Sequence, residues 1–435
     1  MKSYTLKILY FFFGLCCRYY IYRTKPIIIG ITGSVWKTSS RIVIAQILEK
    51  ILTKTQVYTS SKNYNSELGL AFSLFCIEEY SPSIKNLFLI SLKIVRESLF
   101  GRKKYDIFVL EYGIDHPGDM DILLSYIQPD YAIFTRLDFT HSDNFPWGKQ
   151  QVWEEKWKLM KSAKRAIFYN QEDDFLRTQG EAFIGEKYSF FQGDIQVEEF
   201  GIQKQEWKIL SFFQYKDIRF FTNLIGRENG VYIALGMSIS EKISGKPLNK
   251  NSYDFSNMLL QPGRFTLFSS EKNIFIDSTY NAAPESMKTI IENTKELQKS
   301  AFPDYKLGFV LGDMREIGEE RESAHRNIAP FVLWSSFVFT IWPNMKDFLL
   351  DELNKNNYTG EVYSTNSSRN LGTYLKSFIE KYNQEKYIVL FKGSQNTIFT
   401  EETLAVVLSP EERKKLPRQS NDWKQKKEEF FKTLP

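Results

Sequence analysis

The stretch PIIIGITGSVWKTSSRIVIAQILEKIL, residues 26–52, decides the fold. It begins with an apolar run, turns at Gly33, and continues into a segment with helical spacing. An apolar run of this kind predicts a strand buried on both faces, as in a parallel sheet. A glycine-containing turn between such a strand and a helix holds anions with backbone amides and the helix N-terminus. The stretch therefore predicts a parallel α/β protein with a phosphate site at this turn.

The turn meets most requirements of a phosphate-binding loop and departs from one. Gly33 opens it, Lys37 supplies a cation for terminal phosphates, and Thr38 supplies a hydroxyl for Mg²⁺. Trp36 stands directly before the lysine, where such loops carry glycine. A bulky residue there crowds the amides that approach phosphate and favours a strained backbone. We predict that the whole loop contacts nucleotide: Gly33, Ser34, Val35, Trp36, Lys37, Thr38 and Ser39.

The composition limits the functional classes. The chain has 435 residues, too many for one compact core, so two or three domains are expected. Its net charge of +5 is small and spread along the sequence, which argues against nucleic acid as a partner. Cys16 and Cys17 are adjacent and Cys76 is distant, so they form neither a metal motif nor a disulfide framework. A reducing, cytoplasmic setting is predicted.

The N-terminal segment leaves two interpretations open. Residues 8–17, ILYFFFGLCC, are apolar and flanked by Lys7 and Arg18. The run is shorter than the roughly 20 residues that span a bilayer, and no small-residue cleavage site follows it. Residues 5–20 could contact the inner face of the cell membrane through apolar and basic side chains. They could equally form a helix packed on the body of the protein.

Strands and helices alternate along most of the chain. Apolar runs at residues 105–113, 129–137 and 165–174 are separated by helical stretches, which predicts a parallel sheet with ligands at the carboxyl ends of its strands. Residues 188–221 alternate apolar and polar side chains, which predicts antiparallel strands. Beyond Gln261 further apolar strands predict a second parallel unit.

The predicted fold class is therefore α/β with two domains. A P-loop-type ATPase domain with a mostly parallel sheet is expected at residues 26–255, after an N-terminal basic and apolar segment at residues 1–25. A Rossmann-like domain is expected at residues 256–435. Its charged tail after Ser409 is predicted to be helical at the surface.

Polar residues at predicted strand ends are the candidate site. Glu111 ends an apolar strand and would project beside the loop, where a carboxylate can hold Mg²⁺; a helix-capping acid is the alternative. His141 follows another strand, and as a lone loop histidine it could simply be solvated. Polar clusters in the second unit suggest a ligand between the domains, although each cluster alone also fits a turn and a cap. They contain Arg264, Asp277, Tyr280, Asn281, Asp313, His325, Lys392 and Ser394.

These motifs, taken together and in order, resemble the Mur ligases, the ATP-dependent amide-forming ligases of peptidoglycan synthesis. The resemblance covers about residues 26 to 400 and is far more specific than any single motif. Its segments are GITGSVWKTS, NYNSELGL, EYGIDHPGDM, THSDNF, EKWKLM, PGRF, IDSTYNAAPESM, LGDMREIGEE and FKGSQNT.

The resemblance implies phosphorylation of a carboxylate by ATP, attack of an amine on the acyl phosphate, and release of ADP and phosphate. Carried over by position, the catalytic residues are Lys37, Lys156 and His141, and the Mg²⁺ site contains Thr38, Glu111, His141 and Lys156, the last matching the family's carbamoylated lysine. The nucleotide would also contact Asn229, Arg264, Asp277, Tyr280 and Asn281, and the substrates would lie by Asp313, His325, Lys392 and Ser394.

The sequence also departs from the family. The N-terminal domain that grips the UDP part of the substrate has no counterpart in residues 1–25. Trp36 replaces a glycine, and Trp157 follows Lys156 where the family has a small residue. Because both elements would lie near the terminal phosphate, we expect the two tryptophans to pack together and rebuild the loop wall.

Three functions stay open. The first is an active ligase, expected to be a monomer, that adds an amino acid or a D-Ala-D-Ala-type dipeptide to a cell-wall precursor carboxylate. The second is a scaffold of the same fold with impaired ATP turnover, which Trp36 would favour. The third is a ligase for a lipid-linked or polymeric acid, held at a membrane by the N-terminal segment.

Overall fold

The strands of the protein form three sheets. The computed structural model describes residues 4–61, 67–78, 83–138, 145, 148–205, 208–395 and 397–434. The first sheet has the order β2-β3-β1-β4-β5-β6, and all its pairs are parallel. Its strands are β1 (Ile27–Thr32), β2 (Val57–Tyr58), β3 (Ile107–Glu111), β4 (Tyr131–Phe134), β5 (Ala166–Asn170) and β6 (Glu186–Phe190).

The order of the first sheet explains where a ligand can lie. The chain leaves β1, builds β2 and β3 on one side of it, and then places β4 on the other side. The turn after β1 is therefore at the point where the strand order reverses, and a crevice opens there beyond the carboxyl ends of the strands.

Helices cover both faces of the first sheet. One face carries α1 (Tyr4–Thr24), α3 (Glu67–Leu74), α4 (Ile84–Phe100), α5 (Asp119–Tyr126), α6 (Gly148–Lys161) and α7 (Asp174–Ala182). The opposite face carries α2 (Lys37–Ile51) and α8 (Arg227–Ser244). Coverage on both sides agrees with the uninterrupted apolar sequence of the strands, because every side chain of β3 and β4 is buried.

The second sheet is small and mostly antiparallel. Its order is β10-β9-β8-β7, and its strands are β7 (Glu198–Gln205), β8 (Lys208–Tyr215), β9 (Ile218–Thr222) and β10 (Tyr253–Phe255). Antiparallel pairing is thus correct for the later part of residues 188–221. It is wrong for Tyr188, which lies in β6 and pairs in parallel with Phe168. β6 is an edge strand whose side chains are exposed at its start and buried at its end.

The third sheet completes the fold, with the order β11-β12-β16-β13-β14-β15 and parallel pairs except at β11. Its strands are β11 (Thr266–Ser269), β12 (Ile274–Asp277), β13 (Lys306–Gly312), β14 (Phe337–Ile341), β15 (Glu361–Thr365) and β16 (Tyr387–Lys392). Its helices are α9 (Pro284–Ala301), α10 (Arg321–Arg326), α11 (Ala329–Val332), α12 (Asp351–Lys355), α13 (Ser368–Lys381) and α14 (Thr400–Val407). The predicted α/β class with two mostly parallel sheets is confirmed, while the domain boundaries stay a prediction.

The N-terminal segment is a helix that packs on the first sheet's helical layer. In α1, Phe13 and Cys17 are fully buried, and Cys16 and Tyr20 join the same apolar core. Packing on the body of the protein is therefore present. Across the described parts of the chain, every helix is too short or too polar to cross a membrane.

The charged tail is helical and partly buried. It contains α15 (Pro410–Arg413) and α16 (Asn421–Lys432). Lys427 of α16 is only 2% exposed and lies 3.0 Å from a carboxylate oxygen of Glu401, which is itself fully buried. The surface helix expected from the charge pattern is thus docked on the third sheet's helical layer through an ion pair.

The two halves of the protein meet through specific contacts. Ile202 and Ile209 of the second sheet pack into the apolar core beside α9. Arg136 Nη2 lies 2.9 Å from Glu285 Oε2, and Asp138 Oδ2 accepts a 3.1 Å hydrogen bond from the Glu285 amide. Glu285 lies in the first turn of α9, so both groups from the β4 side hold the start of this helix.

Candidate functional site

A cavity of about 700 Å³ lies where the carboxyl ends of the first and third sheets face each other. The turn after β1 and the end of β3 line one side of it. The segments around β12 and the end of β16 line the other. The residues from the first half include Ser34, Val35, Trp36, Lys37, Thr38, Ser39, Glu111, Lys156 and Asn229, and those from the second half include Arg264, Tyr280, Asn281, Glu316, Lys392 and Gln395.

Glycine is required at the start of the loop. Gly33 has φ of +146°, and a Cβ at this position would lie 2.1 Å from the Thr135 hydroxyl. That hydroxyl donates a 2.7 Å hydrogen bond to the Val35 carbonyl, and the Ser34 amide donates to the Arg136 carbonyl at 2.8 Å. The loop therefore lies directly on the segment that follows β4.

Trp36 has the strained backbone that its replacement of glycine suggests. Its φ of 70° and ψ of −2° lie in the left-handed region, which costs a residue with a Cβ about 1–2 kcal/mol. Its side chain is half-buried and packs against the apolar cores of both halves of the protein. Its indole Nε1 is buried and has no hydrogen-bond partner among the described residues.

The expected packing of Trp36 on Trp157 is wrong. Trp157 is buried in the core on the opposite face of the first sheet, where its ring stacks on Phe134 at 6.3 Å and meets Phe175 edge-on at 6.4 Å. Trp36 instead fills the space between α2 and the third sheet's layer. The physical reason is that α6 packs on the face of the sheet opposite to α2, so Trp157 enters the core of the α6 face whereas Trp36 packs on the α2 side.

Lys37 is folded back on its own loop. Its Nζ donates to the carbonyls of Gly33 at 2.8 Å and Ser34 at 3.2 Å. Burial lowers the pKa of Lys37, Arg264 lowers it further, and Glu111 opposes both effects. The ammonium group is thus held beside the cavity in a place where a second negative charge would stabilise it.

Glu111 ends β3 and is 4% exposed. Its Oε2 accepts a 3.0 Å hydrogen bond from the Thr38 hydroxyl and lies 3.5 Å from Arg41 Nε. The strand register places Glu111 opposite Ile31 of β1, one residue before the strand ends, which is why the carboxylate reaches the loop. A hydroxyl and a carboxylate side by side are the oxygen ligands that Mg²⁺ prefers.

The other predicted ligands of Mg²⁺ are His141 and Lys156. His141 lies outside the described residues. Within the described part of the chain, no three His, Cys, Asp or Glu side chains group closely enough to hold a metal ion. A cation at Thr38 and Glu111 would therefore need further oxygens from phosphate, water or a modified side chain.

Lys156 reaches the loop from α6. It is 1% exposed, and its Nζ donates a 3.2 Å hydrogen bond to the Ser34 hydroxyl. Burial lowers the pKa of Lys156 strongly, and the neighbouring Lys37 lowers it further. An amine held in its neutral form is nucleophilic, which is the state that reacts with carbon dioxide.

Three predicted nucleotide contacts, Asn229, Arg264 and Tyr280, line the cavity. The Arg264 guanidinium lies over the Tyr280 ring, 4.4 Å from its centroid. Arg264 Nε and Asn229 Oδ1 are buried without a hydrogen-bond partner in the part of the chain described. Buried polar atoms of this kind are uncommon and point to a missing ligand.

The pKa values of Lys392 and Asp277, which lie at neighbouring strand ends, are shifted in opposite directions. Burial lowers the pKa of Lys392 to about 7; Arg264 adds to this effect and Asp277 opposes it. Burial also raises the pKa of Asp277 to about 6, against its hydrogen bonds with Thr279. Lys392 lines the cavity and donates to the Asn281 carbonyl at 2.9 Å, whereas Asp277 lies behind the lining.

The other predicted substrate residues lie away from the cavity lining. Both nitrogens of His325 are used, one beside the Arg321 carbonyl at 2.6 Å and one accepting from the Met314 amide at 3.0 Å. Asp313 accepts from the Met345 amide at 2.8 Å. The Ser394 hydroxyl donates to the Ala282 carbonyl at 2.9 Å. All three thus support the backbone around the site.

Two arginines with buried side chains near the site, Arg41 and Arg418, belong to no sequence motif. Arg41 lies fully buried beside Glu111, and its Nη1 donates to the Ser60 carbonyl at 2.7 Å. Arg418 donates to the Thr279 carbonyl at 2.7 Å and the Tyr280 carbonyl at 3.2 Å. Arg41 falls in a helical run and Arg418 in a charged tail, so neither carries a motif.

Residues 31–235 match the family model of the Mur ligase middle domain, a range that begins in β1 and ends in α8 and so contains the loop, Glu111 and Lys156. Over these residues the chain is similar to the Mur ligases.

The similarity to individual proteins extends over more of the chain than the middle domain. The UDP-N-acetylmuramoyl-tripeptide--D-alanyl-D-alanine ligase of Bacillus subtilis is 24% identical over 307 residues, which are 69% of this chain and 58% of that protein. The enzyme of the same name from Rickettsia prowazekii is 22% identical over 74% of this chain and 69% of its own length. The chain therefore spans little more than half the length of the Bacillus protein.

Solved structures of Mur ligases share the fold. The MurF ligase of Thermotoga maritima in complex with ADP superposes with a TM-score of 0.67 at 19% identity, covering 91% of this chain and 82% of that one. MurF of Acinetobacter baumannii gives a TM-score of 0.69 at 19% identity, over 90% and 79% of the two chains. The arrangement of all three sheets is thus that of a MurF-like protein.

Proposed function

We propose that this protein is an ATP-dependent ligase that joins an amine to a carboxylate through an acyl phosphate. One observation carries the proposal: the basic side chains of Lys37, Arg264 and Lys392 converge on the cavity, and the amine of Lys156 lies beside them. Burial lowers the pKa of each of them. The pKa values of Lys37, Lys156 and Lys392 are lowered further by another basic side chain of this set.

Such an arrangement is unfavourable for the empty protein and favourable for a polyanion. Like charges in a region of low dielectric repel one another, and a triphosphate placed among Lys37, Arg264 and Lys392 would neutralise all three. Transfer of a phosphoryl group depends mainly on this neutralisation and on alignment, rather than on covalent chemistry by the protein. ATP is the ligand of that class which the family uses.

The nucleotide would bind across both halves of the protein. Lys37 and the loop amides would hold the phosphates, and Asn229 would lie on the adenine side. Arg264 and Tyr280 would close on the nucleotide from the other half, with Asn281 beside them and Asp277 behind. The ADP complex of the Thermotoga MurF ligase, which shares this fold, supports the assignment.

Mg²⁺ would be held by Thr38 and Glu111, with His141 and a carbamoylated Lys156 as further predicted ligands. The ion would neutralise charge on the phosphates and orient them. The direct contact between the Thr38 hydroxyl and Glu111 Oε2 supports this assignment, because it places two oxygen ligands side by side.

The chemistry then follows in two steps. A carboxylate oxygen of the acceptor attacks the terminal phosphorus, and the bond to the ADP oxygen breaks. The amine nitrogen next attacks the acyl carbon, the carbon–oxygen bond to phosphate breaks, and the nitrogen loses its proton. Lys37 and Arg264 would stabilise the charge that develops on the phosphoryl group, and Lys392 would lie beside the nucleotide or the amine. Asp313, His325 and Ser394 would position the backbone around the substrates.

The finer assignment concerns the substrates and the setting. The Bacillus and Rickettsia relatives are named as ligases of D-alanyl-D-alanine with a UDP-muramoyl tripeptide. We therefore propose an amino acid or a D-Ala-D-Ala-type dipeptide as the amine and a cell-wall precursor as the carboxylate. We further propose a monomer in the cytoplasm that contacts the inner face of the membrane through residues 5–20.

The test is ADP release by the purified protein with ATP, Mg²⁺, D-alanyl-D-alanine and a UDP-muramoyl tripeptide. We expect release to depend on both substrates and to be lost in a Lys37→Ala variant. A Lys376→Ala variant, which removes an exposed lysine far from the cavity, is the matched control. If the wild type fails to bind ATP the proposal is wrong, and if it binds ATP but never turns it over the scaffold function replaces it.

A further inference from the structure

Exposed apolar side chains are concentrated on two helices. Sixteen large apolar side chains are exposed in the described part of the chain, and ten of them lie on α1 and α4. Scattered exposed apolar residues are normal, but a concentrated patch marks an interaction site. We call this set the two-helix surface: Phe11, Phe12, Leu15, Tyr19, Tyr22, Phe88, Leu89, Leu92, Leu99 and Phe100.

The two helices present one continuous surface. They pack against each other, and Arg23 near the end of α1 donates to the carbonyls of Glu97 and Ser98 near the end of α4, each at 3.2 Å. The most exposed members, Tyr22 at 76% and Phe100 at 78%, lie at these adjoining ends. The apolar side chains of the two helices therefore share one solvent-facing side of the protein.

The inner face of α1 fixes the helix parallel to the protein surface. Phe13 and Cys17 are fully buried. A Cβ on Gly14 would come within 2.6 Å of the Tyr126 ring, so this glycine allows α1 to approach α5 closely. Spanning a bilayer would require α1 to leave this core, whereas lying at an interface requires no change.

The charged side chains around the two-helix surface are almost all basic. Residues 4–25 and 83–105 contain ten basic side chains and a single acid, Glu97, although the whole chain has a net charge of only +5. Nine of the ten are described and exposed, and Arg96 and Lys104 share Glu97. The ten are Lys7, Arg18, Arg23, Lys25, Lys85, Lys93, Arg96, Arg102, Lys103 and Lys104.

We propose that the two-helix surface docks on an anionic phospholipid bilayer, with the apolar side chains inserted at the headgroup level and the basic side chains on the lipid phosphates. Apolar and aromatic groups ringed by lysine and arginine are the chemistry that such an interface recognises. This inference deepens the membrane contact within the proposed function, because it adds α4 and specifies the lipid charge.

Charge argues against a second copy of this chain as the occupant. Two copies meeting through this surface would bring twenty basic side chains together, and like charges across an interface are unfavourable. An anionic bilayer instead attracts basic side chains of this kind.

Docking by this surface leaves the cavity accessible. None of the residues that line the cavity belongs to α1 or α4. Both helices also end on the side where β1 and β3 begin, whereas the cavity lies at the opposite, carboxyl ends of these strands. The protein could therefore bind lipid and substrates at the same time.

The test is flotation of the full chain with vesicles of phosphatidylcholine alone or of phosphatidylcholine and phosphatidylglycerol in equal amounts. We expect binding to the anionic vesicles and little to the neutral ones. A Phe88→Ser, Phe100→Ser double variant should lower the partition coefficient by about tenfold or more. A Lys85→Glu, Lys93→Glu variant should lower it by about tenfold or more as well.

Matched controls come from the rest of the surface. Ile184 and Leu259 are exposed to 98% and 74%, close to Phe88 at 63% and Phe100 at 78%, so an Ile184→Ser, Leu259→Ser variant should bind as the wild type does. Lys346→Glu, Lys376→Glu is the corresponding charge control. Equal binding by all variants, absence of wild-type binding, or a dimer that only the Phe88→Ser, Phe100→Ser variant loses would each overturn the proposal.

The outcome is separable from that of the ligase proposal. ATP-dependent ADP release in detergent-free buffer without vesicles reports on the cavity alone. Vesicle binding without ADP release would leave the lipid surface intact and remove the ligase, and the reverse result would do the opposite.

Discussion

Trp36 combines an unfavourable backbone with a favourable contact. Its left-handed φ of 70° is a conformation suited to glycine, yet its indole packs against the cores of both halves. A residue kept in such a conformation is held by its surroundings. Here the surroundings are the two layers that close over the cavity, so the tryptophan stabilises the closed arrangement.

The backbone strain at Trp36 can be measured by comparing two variants. Trp36→Ala and Trp36→Gly both remove the indole, but only glycine removes the left-handed penalty. We expect Trp36→Gly to be more stable than Trp36→Ala by about 1 kcal/mol in denaturant unfolding. Equal stability of the two variants would mean that the position is not left-handed in solution.

Lys392 makes nucleotide binding dependent on pH. Its pKa is lowered to about 7, so in the free protein it is mostly charged below that pH and mostly neutral above it. Since phosphate favours the charged form, we expect ATP affinity to fall as the pH rises through 7 and protons to be taken up on binding. Calorimetry in buffers of different ionisation enthalpy measures both effects.

A Lys392→Arg variant serves as the comparison for that profile. Arginine stays charged throughout the range, so the fall in affinity above pH 7 should be reduced. An unchanged profile in this variant would assign the titration to another group.

The C-terminal tail is an element with a role in the site. Arg418 pairs with the buried Glu401 at 2.6 Å and also donates to the carbonyls of Thr279 and Tyr280. It therefore connects the tail to the segment that carries Tyr280, over which Arg264 lies. A tail that looks like a solvated charged helix thus helps to fix the cavity wall.

Removing Arg418 should be costly because it leaves a buried carboxylate with one partner fewer. We expect Arg418→Met to lower the free energy of unfolding by about 3–5 kcal/mol and to weaken ATP binding. Adding Glu401→Gln should restore part of the stability but not the ATP affinity, because the buried carboxylate that lost Arg418 becomes neutral while Lys427 keeps Glu402 as a partner at 2.9 Å. Denaturant unfolding and ATP titration of the two variants check this, and full recovery of affinity in the double variant would contradict it.

The sequence predicts elements well where one residue pattern decides them. The apolar strands, Gly33, Lys37, Thr38 and Glu111 could all be placed because parallel strands end at one edge of a sheet. The sequence of a helix does not determine on which side of the sheet the helix packs. For this reason the predicted packing of Trp157 on Trp36 is wrong. The ion pair of Glu401 depends on the docking of α16, a contact between elements distant in sequence.

At the scale of the whole molecule, the cavity exists because the two halves are closed on each other. Arg136 bridges to Glu285 at the start of α9, and Asn293 further along α9 lies 3.3 Å from Glu228 Oε2 of α8. These two contacts are polar and partly solvated, and they lie beside the apolar contacts of Ile202, Ile209 and Trp36. They suit a pair of domains that opens and closes around substrates.

Weakening the ion pair of Arg136 and Glu285 should modestly shift the equilibrium between the closed and open arrangements of the two halves. The side chains of Arg136 and Glu285 are 26% and 30% exposed, so the pair contributes less than about 1 kcal/mol and is screened by salt. Glu285→Gln should lower ATP affinity less than about fivefold and raise the radius of gyration of the free protein in small-angle scattering. A change in affinity that is insensitive to salt would contradict this explanation.

The contacts of Arg418 with Glu401, Thr279 and Tyr280 also have a consequence for how the protein is made. Translation completes the third sheet at Lys392, whereas Arg418 and Lys427 leave the ribosome later. Until then Glu401 lacks both cations, and the carbonyls of Thr279 and Tyr280 lack the donors that Arg418 supplies. A nascent chain therefore has all its strands before it has a finished nucleotide pocket, and ATP retention would mark the chains whose synthesis has passed the tail.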